Sequence, residues 1–82
     1  MVKPTKVTNE IRALRFAHGE LTQAQLASAV GVTRQTIIAI EQGRYSPSLE
    51  LAFQIARVFQ VPLDEVFQYP GEPAGSGTEN AR

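Results

Sequence analysis

Eighty-two residues are enough for one domain with a small hydrophobic core. The absence of cysteine excludes disulfides and thiolate zinc sites and points to the cytoplasm. No apolar run approaches the ~20 residues of a membrane span, and Met1-Val2-Lys3-Pro4-Thr5-Lys6 lacks the apolar segment of a signal peptide, so no membrane partner is expected.

Formal net charge is zero, with eight basic and eight acidic residues. Their distribution is uneven. Residues 1–47 carry Lys3, Lys6, Arg12, Arg15, Arg34 and Arg44 against Glu10, Glu20 and Glu41. Residues 48–82 carry Arg57 and Arg82 against Glu50, Asp64, Glu65, Glu72 and Glu79. A basic half followed by an acidic half sets up a directional field suited to a polyanion.

In chain order, residues 1–7 read as a flexible basic arm. A first helix is predicted over 8–18, capped by Thr8 or Asn9, with Ile11 and Leu14 facing the core and Gly19 ending it. A second helix is predicted over 23–30. Thr22 is its N-cap and Gln25 completes a capping box; Leu26 and Val30 recur at helical spacing beside the small Ala27. Gly31 stops it, and Thr33 caps a third helix, 34–42, whose Ile37 and Ile40 face inward before Gly43. Residues 44–47 form a loop, because Pro47 disfavours helix at Ser46. Ser48 caps a fourth helix, 49–59, with the stripe Leu51, Ala52, Ile55, Ala56 and Phe59. A last helix is predicted over 63–68; Asp64 and Glu65 suit its positive end, and Val66 and Phe67 close the core. No β pattern is visible. Residues 70–82 offer no bulky apolar side chain and are expected to be disordered. The expected fold is all-α, a compact five-helix domain over 8–69.

The run 22–43, with Val32-Thr33-Arg34-Gln35-Thr36-Ile37, Glu41-Gln42-Gly43-Arg44-Tyr45 and Ser46-Pro47-Ser48-Leu49-Glu50-Leu51-Ala52, resembles the lambda-repressor/Cro-like (XRE-type) helix-turn-helix regulators, small single-domain group. The resemblance covers about residues 9–67. It implies binding of double-stranded DNA by a transcriptional regulator, with the third helix in the major groove. It also implies that Arg15 of helix one pairs with Glu41, late in the recognition helix. Gln60 stands where the family usually has glycine or another turn-former, and the connector after helix one is one residue longer than in some relatives.

A recognition helix presents its first turn to base edges. Arg34 can donate two hydrogen bonds to guanine O6 and N7, and Gln35 can bond adenine N6 and N7. Ile38 either meets a thymine methyl or fills the core; Ala39 lies on the same surface. Gln23, Thr33, Thr36, Gln42, Arg44 and Tyr45 surround that helix as phosphate contacts, although Tyr45 is equally suited to packing on its loop. Phe53, Leu63, Val66, Phe67 and Tyr69 are more large apolar groups than so small a core needs. They are the expected interface of a homodimer on a pseudo-palindromic operator; core packing is the alternative for Val66 and Phe67.

No enzyme constellation is visible. His18 is the single histidine and sits at a helix C-terminus, and the adjacent Asp64 and Glu65 point in different directions. No cofactor, metal or small-molecule ligand is expected. The reading is a DNA-binding regulator, a homodimeric repressor. The alternatives are a DNA-binding antitoxin whose tail folds on a toxin, or a protein-interaction module of the same fold.

Overall fold

Three helix starts carry the same device. In the computed structural model, which describes residues 5–70, the hydroxyls of Thr22, Thr33 and Ser48 accept hydrogen bonds from the backbone N–H groups of Gln25, Thr36 and Leu51 at 3.0, 3.2 and 3.1 Å. Each satisfies a donor that the helix itself leaves free, at about 1 kcal/mol per cap. Thr22 also donates its own N–H to Gln25 Oε1 at 2.9 Å, which completes the capping box. These caps open α2 (Gln23–Val30), α3 (Arg34–Glu41) and α4 (Leu49–Phe59).

The same helices end alike. A residue in the left-handed region lets the next N–H reach back to a carbonyl of the last turn: Val32 to Ala27, Arg44 to Ala39 and Val61 to Ala56. Gly31 (φ 76°) and Gly43 (φ 74°) fill this position in the first two cases, and Gln60 (φ 58°) does so in the third.

The core is one cluster. Ile11, Leu26, Ile37, Ile40, Ile55, Phe59 and Val66 are fully buried, with Ala27, Val30, Leu51 and Ala56 beside them. Each large side chain contributes roughly 1.5–3 kcal/mol by leaving water. α2 packs most extensively on α3 and then on α4. Ala27 is 3% exposed, so its lack of bulk permits that close crossing.

Two ends of the fold differ from the sequence-based expectation. Thr8 and Asn9 do not begin a helix. They form β1 (Thr8–Asn9), paired antiparallel with β2 (Phe67–Gln68) in the register Thr8 with Gln68 and Asn9 with Phe67. The all-α domain therefore carries a two-stranded ribbon. Asn9 Oδ1 accepts from the Ile11 N–H at 3.2 Å, and α1 (Ile11–Ala17) starts three residues later than expected. Likewise α5 (Leu63–Val66) stops at Val66, because Phe67 takes an extended conformation to join the ribbon. Helical periodicity cannot report a pairing between residues nearly sixty positions apart.

Part of the expected arm contacts the fold. The Thr5 N–H donates to the Gly43 carbonyl at 3.2 Å, which attaches residues 5–7 to the end of α3. Residues 1–4, and 71–82 of the predicted tail, lie outside the described residues. Among the described residues no helix is long and apolar enough to cross a membrane.

Gln60 is strained where glycine is not. Gln60→Gly should raise stability by on the order of 1 kcal/mol and Gln60→Val should lower it, as read from urea midpoints.

Candidate nucleic-acid interface

The recognition helix is held from its C-terminal end. Glu41 closes α3, and Arg15 of α1 meets it side-on: Nε donates to Oε2 at 2.7 Å and Nη2 to Oε1 at 3.2 Å. The two side chains are only 11% and 9% exposed. Gln23, at the start of α2, adds a third donor to the carboxylate through Nε2 at 3.2 Å from Oε1. Arg15 spends its remaining nitrogen, Nη1, on the Leu21 carbonyl at 2.9 Å, and Leu21 returns its N–H to the Arg15 carbonyl at 2.9 Å.

That exchange explains the longer connector. His18 ends α1, and Gly19 (φ 73°) and Glu20 (φ 58°) then take two successive left-handed conformations, which bring Leu21 back onto Arg15. Every nitrogen of the Arg15 guanidinium and both oxygens of Glu41 thus carry a hydrogen bond, the condition under which such a pair is tolerated in a low-dielectric site. His18 itself is exposed, with Nδ1 3.0 Å from the Leu14 carbonyl and its ring edge-on to Phe59 at 5.2 Å.

A second tether comes from the ribbon. Asn9 Nδ2 donates to the Ile40 carbonyl at 2.9 Å, on the last turn of α3. Three separate segments therefore grip the end of this helix: α1 and α2 through Glu41, and β1 through Ile40.

With one face anchored through Ile37 and Ile40, the opposite face is free. Arg34 and Gln35 are exposed in the first turn. Ile38 and Ala39 are half-buried, and Ile38 is not among the side chains that pack on the core cluster. These four residues make a surface of one guanidinium, one amide and two apolar groups. Among the described residues neither Arg34 nor Gln35 has a side-chain hydrogen bond or ion pair within the fold.

A family model described as helix-turn-helix matches residues 11–66 of this chain. The chain belongs to the XRE-type helix-turn-helix family. An uncharacterised HTH-type transcriptional regulator of Methanocaldococcus jannaschii is 52% identical over 61 residues, covering 74% of this chain and 91% of that one. The transcriptional repressor RstR of the cryptic phage CTXphi, from Vibrio cholerae, is 36% identical over 59 residues, covering 72% of this chain and 52% of the other. Among solved structures, the restriction-modification controller protein C.AhdI from Aeromonas hydrophila superposes with a TM-score of 0.61 at 31% identity, covering 67% of this chain and 78% of that one. The protein is accordingly a transcriptional regulator with a helix-turn-helix DNA-binding domain.

Within that family frame, the remaining predicted residues sort by position. Thr33 caps α3, and its hydroxyl also lies 3.1 Å from that of Thr36. Arg44 Nε donates to Gln42 Oε1 at 2.8 Å, so these two exposed side chains form a local pair just past the helix. Tyr45 is exposed on its loop. Gln23 differs from expectation: the amide assigned to phosphate donates to Glu41 within the fold.

On the proposed interface, Phe53 and Tyr69 are exposed, at 51% and 71%, and Leu63 and Phe67 are half-buried. Val66 has no exposed surface and must be removed from that set, because it packs inside the core. Leu49 was not expected there. It is 68% exposed and borders two neighbouring depressions, one with Phe53 and one of about 590 Å³ with Pro47, Leu63, Phe67 and Tyr69. Its place in the first turn of α4, ahead of the buried stripe, is the signal that would have found it.

The Glu41 network makes a measurable demand. Either Arg15→Ala or Glu41→Ala alone should cost about 3 kcal/mol or more, since each leaves an unpaired buried charge. A double-mutant cycle in urea should show that the double variant loses less than the sum, with coupling of roughly 0.5–3 kcal/mol.

Proposed function

We propose that this regulator is a sequence-specific repressor that binds, as a homodimer, a pseudo-palindromic operator. The observation that carries the reading is the α3 surface of exposed Arg34 and Gln35 with half-buried Ile38 and Ala39, on a helix tethered by Glu41 and Ile40. An arginine and a glutamine at the start of such a helix match the paired donor and acceptor edges of guanine and adenine. Thr33, Thr36, Gln42, Arg44 and Tyr45 flank this surface as phosphate contacts, with Gln23 reaching phosphate through its backbone N–H. Repression is supported by the relative whose name is that of a phage repressor.

Dimerisation is supported by the apolar surface that runs from Phe53 through Leu49 to Leu63, Phe67 and Tyr69. Solvent-exposed apolar groups clustered at this density mark an association face. A second copy there doubles the base contacts, since one recognition helix spans only a few base pairs.

Selection of bound duplexes from a random library should return an inverted repeat with half-sites about one helical turn apart. On the selected duplex, Arg34→Ala should cost roughly 1–3 kcal/mol and relax one base position. An equal loss on every sequence would mean that Arg34 holds phosphate instead. In sedimentation, the intact chain and a 1–70 truncation should both dimerise at micromolar concentration, and Leu49→Glu should give monomers. A wild-type monomer that loads singly on its best site would refute the dimer.

A further inference from the structure

Helix α4 has two faces. One is spent on the core through Leu51, Ala52, Ile55, Ala56 and Phe59. On the other, Glu50, Phe53, Gln54 and Arg57 are exposed, with Leu49 beside them. These residues recur at three- and four-residue steps, so they share one side of the helix. Together they border an open depression of about 560 Å³.

Phe53 is a large apolar group that the core does not use. A charge stands on each side of it along the helix, Glu50 in the first turn and Arg57 in the last. Each suits its own end of the helix dipole. Among the described residues, however, neither has an ion-pair partner. The two are seven positions apart, about 10 Å along the axis, and they do not meet within one chain. An apolar centre between charged flanks is the anatomy of a protein–protein interface.

The order of the charges selects the occupant. In a two-fold interface, if residue i meets residue j, then j also meets i. Two copies of α4 laid antiparallel about an axis at Phe53 and Gln54 bring Glu50 of each chain level with Arg57 of the other, because positions 50 and 57 lie equally far from that centre. Seven helical steps return to within about 20° of the same direction, so both charges lie on one flank, and the two-fold operation keeps them there. A parallel arrangement would instead set Glu50 against Glu50 and Arg57 against Arg57. A partner of single-signed charge would meet one repulsion for each attraction.

We infer that α4 packs antiparallel on α4 of a second copy, with the Phe53 side chains at the two-fold axis and two reciprocal Glu50–Arg57 ion pairs beside them. The inference rests on the homodimer reading above and gives that dimer its contact helix and its register. Burial of Phe53 drives the association. The ion pairs fix its direction, since charge complementarity governs specificity more than affinity.

Charge reversal in the full chain tests the pairing, with dimerisation followed by sedimentation and native mass spectrometry. Wild-type dimers should weaken as salt rises. Glu50→Arg and Arg57→Glu should each weaken the homodimer by roughly tenfold, because each sets like charges together twice per interface. An equimolar mixture of the two variants should recover wild-type affinity as a heterodimer, in which every facing pair is again opposite in sign. The double reversal, Glu50→Arg with Arg57→Glu, should also recover it. Glu50→Gln, which adds no repulsion, should weaken the dimer less than Glu50→Arg. Single variants that dimerise as wild type, with statistical mixing, overturn the inference and leave the homodimer standing. Weakening that neither the mixture nor the double variant recovers means that the two charges do not face each other, and also overturns it. A wild-type chain that stays monomeric refutes the homodimer, and this inference falls with it.

Discussion

The buried carboxylate of Glu41 is the constraint on which the geometry of this domain turns. It sits at the last position of α3 and collects donors from Arg15 and Gln23. An isolated carboxylate there would be prohibitively costly to bury, so the fold must bring α1 and the start of α2 to it. The consequence is positional. Helix three cannot roll or slide without breaking charge-assisted hydrogen bonds at its end, and those are about twice as strong as neutral ones. The net contribution to stability of such a pair can be small, because desolvation offsets the attraction. Its larger effect is to fix where Arg34 and Gln35 point.

Anchoring at one end matters because the helix is short. Eight residues span only two turns and would not hold their shape alone in water. Ile37 and Ile40 supply the burial, Thr33 the cap, and Asn9 a second tether at the Ile40 carbonyl. The ribbon that carries Asn9 also carries Phe67, which lines the apolar groove. The end of the recognition helix and the proposed association face are therefore connected through four residues of backbone pairing.

Much of this was legible in the residues themselves. The caps Thr22, Thr33 and Ser48, the stops Gly31 and Gly43, and the stripes of α2 to α4 are local signals, and local hydrogen bonds carry them out as read. Gln60 takes the left-handed position expected there, despite its side chain. The Arg15–Glu41 pairing followed from resemblance to the helix-turn-helix family, since two charges 26 positions apart have no local signature. What the chain did not disclose is non-local. The ribbon of Thr8–Asn9 with Phe67–Gln68 depends on the ends of the chain meeting. Asn9 was read as a helix cap; its Oδ1 does bond the start of α1, but its Nδ2 spans to Ile40. Val66 was offered both to the core and to the interface, and the closure of α5 puts it inside. The exposure of Arg34 and Gln35 in the first turn of α3 was legible because a helix start with no packing duty is a readable pattern. The hydrogen bond of Gln23 to Glu41 had no signal in the sequence, because the two lie 18 positions apart.

The central claim is that a tethered α3 reads DNA through its N-terminal half. Backbone amide NMR of the isotope-labelled chain, titrated with its selected duplex, tests this directly. The account predicts that the largest shifts fall on residues 33–39 and on the start of α2, while Ile55, Phe59 and Val66 in the core stay near their free positions. Shifts centred instead on Leu49, Phe53 and Tyr69, with α3 unmoved, would contradict it.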